Sequence, residues 1–224
     1  MRLLCLLISF AMIFRPCGAE RKKRVALTFD DGPHAVYTAQ ILQILYEFGV
    51  TATFFVVGSN AERYPELLRA EFDLGHEIGN HTYSHTVSGK SSTEKIEEEI
   101  KTADRIIESV TGAVPTLFRP PEGKASRELL DFVRRLGKTT VIWDVDTRDW
   151  AHTMPEKIAE NVKKNVHDGS VILMHDFVAA PSPTPDALKL IIPYLIDAGY
   201  EFVTVSELLA AEAETGSYPS YFLG

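Results

Sequence analysis

The amino-acid sequence predicts an α/β fold on a parallel sheet, and three observations carry that prediction. Short apolar runs of β type alternate with amphipathic helical segments along the chain, giving roughly seven β pieces. The polar clusters fall at the end of a β piece or just past it, and helices carry almost none of them. No internal repeat, low-complexity tract or linker divides the 224 residues, so one domain is expected. Periodicity alone leaves a barrel and a doubly wound sheet both open. In a barrel, the C-terminal strand ends converge on one mouth, and the polar clusters would meet there.

The first strand, 25–29, is organising. It ends in Asp30 and Asp31, and Gly32-Pro33 forces a turn. Side chains alternate along a strand, so the two acids are expected to point in different directions. One could bind a cation while the other handles a proton. Alone, Asp-Asp-Gly-Pro reads equally well as a polar turn. A helix follows over 37–48, closed by Gly49. A strand over 51–57 leads to a helix over 61–72, with Asn60 as its cap. Residues 75–79 are extended. Ser91 and Glu94 form a capping box for a helix over 93–110, ended by Gly112. After a short extended piece at 115–119 come a helix over 126–136 and a strand over 139–143. Thr153 and Glu156 cap a helix over 154–166. A strand over 170–174, a helix over 185–198 opened by Thr184-Pro185, a strand over 200–205 and a last helix capped by Ser206 complete the order.

The N-terminus has a short charged start, an apolar stretch from Leu3 to Phe14, and small residues at Cys17 and Ala19. The stretch is short for a membrane span, which needs about 20 residues. It reads as a secretory signal over 1–19, with the domain at 20–224; an uncleaved anchor is the alternative. Both cysteines, Cys5 and Cys17, lie inside it, so the mature chain would rest on its core alone. Arg2 and Arg15 leave with the signal and no acid does, taking the net charge from −8 to −10. An acidic domain of this kind is a poor partner for nucleic acid or anionic membranes. A secreted or cell-envelope monomer is expected.

Three sets of residues carry chemistry. His81 and His85 can face one cation, and with Asp31 they give two nitrogens and one oxygen, a three-ligand set with open positions as catalytic zinc sites have. Asp30, beside this set, is placed to take a proton. Arg119 heads Arg-Pro-Pro-Glu-Gly, where prolines stiffen the chain, and it could hold Asp30 ionised by charge pairing. His175, at a strand end, can act as an acid if a carboxylate raises its pKa, and Asp149 is the candidate partner. His34, His152 and His167 lack such company and read as surface histidines.

Five motifs stand in order: Thr28-Phe-Asp-Asp-Gly-Pro33, His81-Thr-x-x-His85, Arg119-Pro-Pro-x-Gly123, Asp146-x-x-Asp-Trp150 and Leu173-Met-His-Asp176. Together they resemble the polysaccharide deacetylases with NodB homology, carbohydrate esterase family 4, over about 24–209 of the chain. The resemblance implies a distorted (β/α)7-type barrel. It implies Zn2+, or another divalent cation such as Co2+, on Asp31, His81 and His85. It implies Asp30 as general base, His175 as general acid, Arg119 orienting Asp30 and Asp149 tuning His175. Pro120 and Glu122 would belong to the substrate-binding edge, with the backbone N–H of Glu122 as oxyanion donor, and Trp150 and Leu173 would line the acetyl pocket. The implied reaction removes N-acetyl groups from an N-acetylglucosamine polymer, such as chitin oligomers or peptidoglycan, and releases acetate.

One departure stands out. Relatives often carry an aromatic residue where this chain has Glu122, so the groove edge is expected to be acidic and to favour a cationic or partly deacetylated glycan. Relatives acting on muramic residues resemble a pattern with Asn at the second acid, so Asp31 favours N-acetylglucosamine. An O-acetyl xylan esterase, a silent glycan-binding relative and a deacylase for a lipid-linked sugar are the competing readings. Retention of both Asp30 and His175 argues against the silent relative, because binding alone needs neither base nor acid.

Overall fold

The computed structural model describes residues 22–215 and 222–223. The signal expected over 1–19 and most of the last ten residues lie outside them. The centre is β1 (Lys23–Asp30). Around it run α1 (Tyr37–Phe48), β2 (Thr53–Val56), α2 (Gly58–Arg63), α3 (Pro65–Asp73) and β3 (Glu77–Asn80). Then follow α4 (Thr93–Thr111), β4 (Leu117–Phe118), α5 (Arg127–Arg135), β5 (Thr139–Val141) and β6 (Val145–Asp146). The order ends with α6 (Pro155–Asn165), β7 (Ser170–His175), α7 (Thr184–Asp197), β8 (Tyr200–Phe202), α8 (Val205–Thr215) and β9 (Phe222–Leu223). The sheet order is β6-β7-β1-β2-β3-β4-β5-β9, with β8 beside the first residues of β1. All pairings are parallel except β5 with β9. This is the expected distorted barrel of parallel strands inside helices, open between its two ends.

Strand parity explains the layers. Val25, Leu27 and Phe29 face outward into the larger core with Ile41, Leu45, Ile158, Leu188 and Ile191 of the helices. Ala26 of the opposite parity joins Phe55, Leu117, Val141 and Val171 in an inner cluster. Both faces of β1 are therefore buried, which is why its sequence is a near-continuous apolar run rather than an alternating one. The inner column continues upward through Thr28 to Asp30 in β1, and through Leu173 to His175 in β7. Register makes Asp30 and His175 Cα partners, so the inner parity lifts a carboxylate and an imidazole to the same level of neighbouring strands.

Several boundaries moved for local reasons. The helix expected over 61–72 is two helices, because Tyr64 leaves helical geometry and Pro65 starts the second at its first turn. Asn60 does not cap it; its amide donates to the Asp31 carbonyl at 2.7 Å. Ser92, not Ser91, caps α4, accepting from Lys95 N–H. Thr153 donates instead to the Arg148 carbonyl, and α6 starts at Pro155 without a side-chain cap. The capping pair of α8 is Thr204 with Glu207, while the Ser206 hydroxyl donates to Glu77. Two-residue strands β6 and β9 carried no periodic signal.

Gly79 sits at the inner wall, where an added Cβ would lie 2.4 Å from the Phe55 ring. Overpacking of a filled core costs about 1–3 kcal/mol. Gly79→Ala should lower the urea midpoint accordingly; an unchanged midpoint would refute this account of the inner wall.

Candidate active site

The sequence motifs meet at the C-terminal strand ends around a cavity of about 490 Å³. Asp30, Asp31, His81, His85, Glu122, Trp150, Leu173 and His175 line it, with Trp143 and Asp146 in addition. Arg119 and Asp149 lie buried behind the lining, and Pro120 is buried in the turn without reaching the cavity.

Asp30 closes β1 and is nearly inaccessible. Its Oδ1 accepts from Arg119 Nη1 at 2.7 Å, and the same nitrogen donates to Thr28 Oγ1 at 2.8 Å. Asp31 does not continue the strand. Its φ of +78° is left-handed, which breaks side-chain alternation. The two acids therefore do not diverge as expected: Asp30 Oδ2 lies 3.7 Å and Asp31 Oδ1 3.4 Å from the same nitrogen, His81 Nε2. The turn holds because Asp176 accepts from Gly32 N–H at 2.9 Å and Asn60 grips the Asp31 carbonyl. A Cβ at position 32 would meet the Asp176 carboxylate at 1.9 Å, so the loop needs glycine there.

His81 and His85 sit in a loop, not a helix. His81 Nδ1 donates to the Arg119 carbonyl at 2.7 Å, which leaves Nε2 with its lone pair toward Asp31. His85 Nε2 is 3.3 Å from Asp31 Oδ1. That oxygen is buried and accepts no hydrogen bond. Burial pushes the Asp31 carboxyl up, but His81, His175 and His85 outweigh it and hold Asp31 below the usual carboxylate value. The donor atoms of Asp31, His81 and His85 all lie within 4.8 Å of one another. Tetrahedral ligands about 2.0–2.2 Å from one ion stand roughly 3.4 Å apart, so the two observed separations fit a divalent cation.

On the other side, His175 Nδ1 donates to Asp149 Oδ1 at 2.8 Å, turning Nε2 toward the cavity. Asp149 is fully buried and also accepts from His175 N–H, Thr184 Oγ1 and Trp150 N–H. Burial disfavours the charged ring, but Asp149, with Asp30 and Asp31, outweighs it and His175 is pushed up to about 9. The Glu122 backbone has φ +57° in a short 3-10 turn closed by Gly123 N–H to Pro120 and Lys124 N–H to Pro121. The N–H of Glu122 takes no part in those two bonds. Its side chain is not the free acid expected from the sequence: Lys90 and Lys124 donate to its two oxygens at 2.8 and 2.7 Å.

Reasoning from sequence missed Thr28, Asn60, Thr184 and Lys90. None lies within the chemistry-bearing motifs except Thr28, and their partners are 29 to 91 residues away. Asp176 stood in the fifth motif without a role.

Fold and donor set define a barrel built around a candidate divalent-metal site flanked by a carboxylate and a histidine. The chain belongs to the polysaccharide deacetylase family, whose family model matches residues 18–141. A peptidoglycan-N-acetylglucosamine deacetylase of Bacillus cereus is 42% identical over 192 residues, covering 85% of this chain and 90% of that protein. A peptidoglycan-N-acetylmuramic acid deacetylase of Bacillus subtilis is 40% identical over 187 residues, 84% of this chain, which spans 39% of that longer protein. A family 4 acetyl xylan esterase from Clostridium thermocellum, solved with a cobalt ion, superimposes with TM-score 0.80 at 39% identity, covering 85% of this chain and 92% of that one.

In metal-free protein the His175 ring should titrate near 9, and Asp149→Asn should move it toward the ordinary value of about 6.5. A folded value above the unfolded one stabilises fully below about pH 6.5 and the effect fades as pH rises through about 9. The Asp149→Asn protein should therefore lose more stability against its parent at pH 6 than at pH 10. NMR titration and denaturation at the two pH values check both; equal losses would refute the charge pairing.

Proposed function

We propose that this chain removes acetyl groups from N-acetylglucosamine-containing polysaccharide, with Asp31, His81 and His85 holding Zn2+ or a similar divalent ion. When bound, such an ion supplies Lewis acidity, lowering the pKa of water and polarising a carbonyl. Asp30 takes the proton of the attacking water on Oδ2, since its Oδ1 is occupied by Arg119. Arg119 thereby aims the base. The N–H of Glu122 donates to the developing oxyanion. His175 Nε2 delivers a proton to the departing amine, while Asp149 fixes its tautomer and keeps it charged at neutral pH. Trp150 and Leu173 bound the space for the acetyl methyl group.

The observation that carries this reading is the pairing of Asp30 with His175 across β1 and β7, beside the Asp/His/His set. An amide leaves as a basic amine and needs the protonated histidine more than an ester alcohol does, which favours N- over O-deacetylation. The peptidoglycan relatives support an exported or envelope enzyme. Among the described residues no helix is long and apolar enough to cross a membrane.

Acetate release by the purified protein on chitin oligomers, peptidoglycan and acetylated xylan tests the reading. Release from N-acetylated glycans should stop on chelation and return with zinc. Asp30→Asn should lower kcat by about 10²–10⁴-fold, the usual contribution of a positioned base. Release from xylan alone would replace the reading with an O-acetyl esterase, and zinc binding without release would leave a glycan-binding protein.

A further inference from the structure

Of the fourth motif, Asp146-x-x-Asp149-Trp150, the proposed reaction uses Asp149 and Trp150 and leaves Asp146 without a task. Asp146 nevertheless lines the cavity, at the end of β6. It is joined to both residues that bound the space for the acyl group. Through the strand ladder it is the Cα partner of Leu173 in β7. Through its side chain it meets Trp150, whose indole Nε1–H donates to Asp146 Oδ1 at 3.3 Å.

The two residues differ in how they are held. Leu173 is 3% exposed and sits inside β7, between its Cα partners Thr28 of β1 and Asp146 of β6. Its carbonyl accepts from Thr147 Oγ1 at 2.8 Å. Trp150 is 49% exposed and belongs to a short 3-10 turn, Asp149–Ala151, flanked by the left-handed Arg148 and His152. Its backbone is fixed, because its N–H donates to Asp149 Oδ1 at 2.9 Å. Its ring is less constrained. An indole with half of its surface in water has little packing to select its rotamer, so polar contacts must do it. Two charged groups meet the ring: the Asp146 carboxylate at its N–H edge, and the Arg148 guanidinium 5.6 Å from its centroid. Arg148 is itself exposed, whereas Asp146 is anchored. The Asp146 carbonyl accepts from Asn161 Nδ2 of α6 at 2.6 Å, and its Oδ1 also accepts from Arg148 N–H at 2.8 Å. Asp146 thus has its backbone pinned by β7 and α6 and its carboxylate by the turn that carries Trp150.

We propose that Asp146 is a positioning residue that sets the indole of Trp150 at a fixed spacing from Leu173, and that this spacing restricts the acyl group the cavity accepts to acetyl. This rests on the deacetylase reading of the same cavity. A longer acyl chain needs the indole to swing aside, and the bond from Nε1–H to Asp146 resists that swing. One methylene too many in a fitted apolar pocket is worth about 10–200-fold.

The test labels the two tryptophans, Trp143 and Trp150, with fluorotryptophan, which gives two fluorine resonances that Trp150→Phe assigns. The same proteins are titrated by calorimetry with glucosamine oligomers carrying N-acetyl or N-propionyl groups. The parent should bind the N-acetyl form about 10–200-fold tighter. Asp146→Ala should shift or broaden the Trp150 resonance, leave that of Trp143 in place as the sign of an intact barrel, and bring the ratio below about 10-fold. Asp146→Asn keeps an acceptor oxygen for both N–H groups and should keep the parent's resonance and ratio. Trp150→Phe loses the same bond from the other side, with Asp146 untouched, and should lower the ratio too. Equal affinities in the parent, binding of neither form, an unmoved Trp150 resonance in Asp146→Ala, or a ratio that survives Asp146→Ala or Trp150→Phe would overturn the positioning role. A ratio lost alike in Asp146→Ala and Asp146→Asn, with the resonance unmoved, would set the carboxylate against the glycan itself and overturn it as well. Acyl release is followed in parallel. The expected ratios without release defeat the deacetylase reading and keep the positioning role, and release without a ratio does the reverse.

Discussion

The buried guanidinium of Arg119 is the constraint on which the site and the barrel both depend. It is wholly inaccessible, and a charge out of water persists only when it is paired and well hydrogen-bonded. Here Nη1 serves Thr28 and Asp30 of β1, Nε serves the Val141 carbonyl of β5, and Nη2 serves the Ile142 carbonyl beyond it. The Phe55 ring covers it at 4.0 Å, a cation–π contact in a desolvated place. One side chain therefore ties the first strand to β5 across the interior. The Arg119 carbonyl also receives His81 Nδ1, so its side chain orients the carboxylate Asp30 and its backbone orients the donor nitrogen of His81. A lysine has one compact charge and no planar fork, and could not serve all four acceptors at once.

Much of this was legible in the sequence for a simple reason. An inner strand position and the residue two before it share a face, so a carboxylate or histidine ending an apolar run reads as a group lifted to the barrel mouth. That argument places Asp30 and His175 well. It fails one residue later, because parity says nothing about a chain that turns left-handed, and Asp31 joins Asp30 instead of opposing it. Caps were legible only to within a residue or two. Ser91 and Ser92 are chemically equal candidates, and packing chooses between them. Asn60 looks like a cap from its neighbours and is diverted by Asp31, which lies 29 positions earlier. The lysines of Glu122 were invisible to any periodic argument, since Lys90 belongs to a loop 32 positions away.

The loops around the site carry backbone strain that the scaffold over-determines. Asp31, Thr82, His85, Glu122 and Arg148 all have positive φ, each costing on the order of 1–3 kcal/mol. The turns on the Asp31 side are held by side-chain hydrogen bonds, some from rigid elements and some from within the loops. Asn80 accepts from Thr82 N–H, Thr82 accepts from Thr86 N–H, and the buried Glu99 of α4 accepts from Ser84 N–H. Asp176 and Asn60 hold the Asp31 turn in the same way. Ligand positions fixed in advance need no ordering when an ion or substrate arrives.

The electrostatics of the cavity favour a cation beside Asp31. Asp30 is matched by the buried Arg119, and His175 is matched by the buried Asp149, so each member of the proposed acid–base pair has a compensating charge behind it. Glu122 is more than matched by its lysines. Asp31 is the exception. Its Oδ1 is buried without a hydrogen bond, and its neighbours are imidazole nitrogens 3.3 and 3.4 Å away. A buried anionic oxygen without a partner is costly, and two neutral imidazoles presenting lone pairs would add to that cost. A divalent ion held by Asp31, His81 and His85 would relieve all three groups together, and the strained turn and the tautomer of His81 would then serve one purpose.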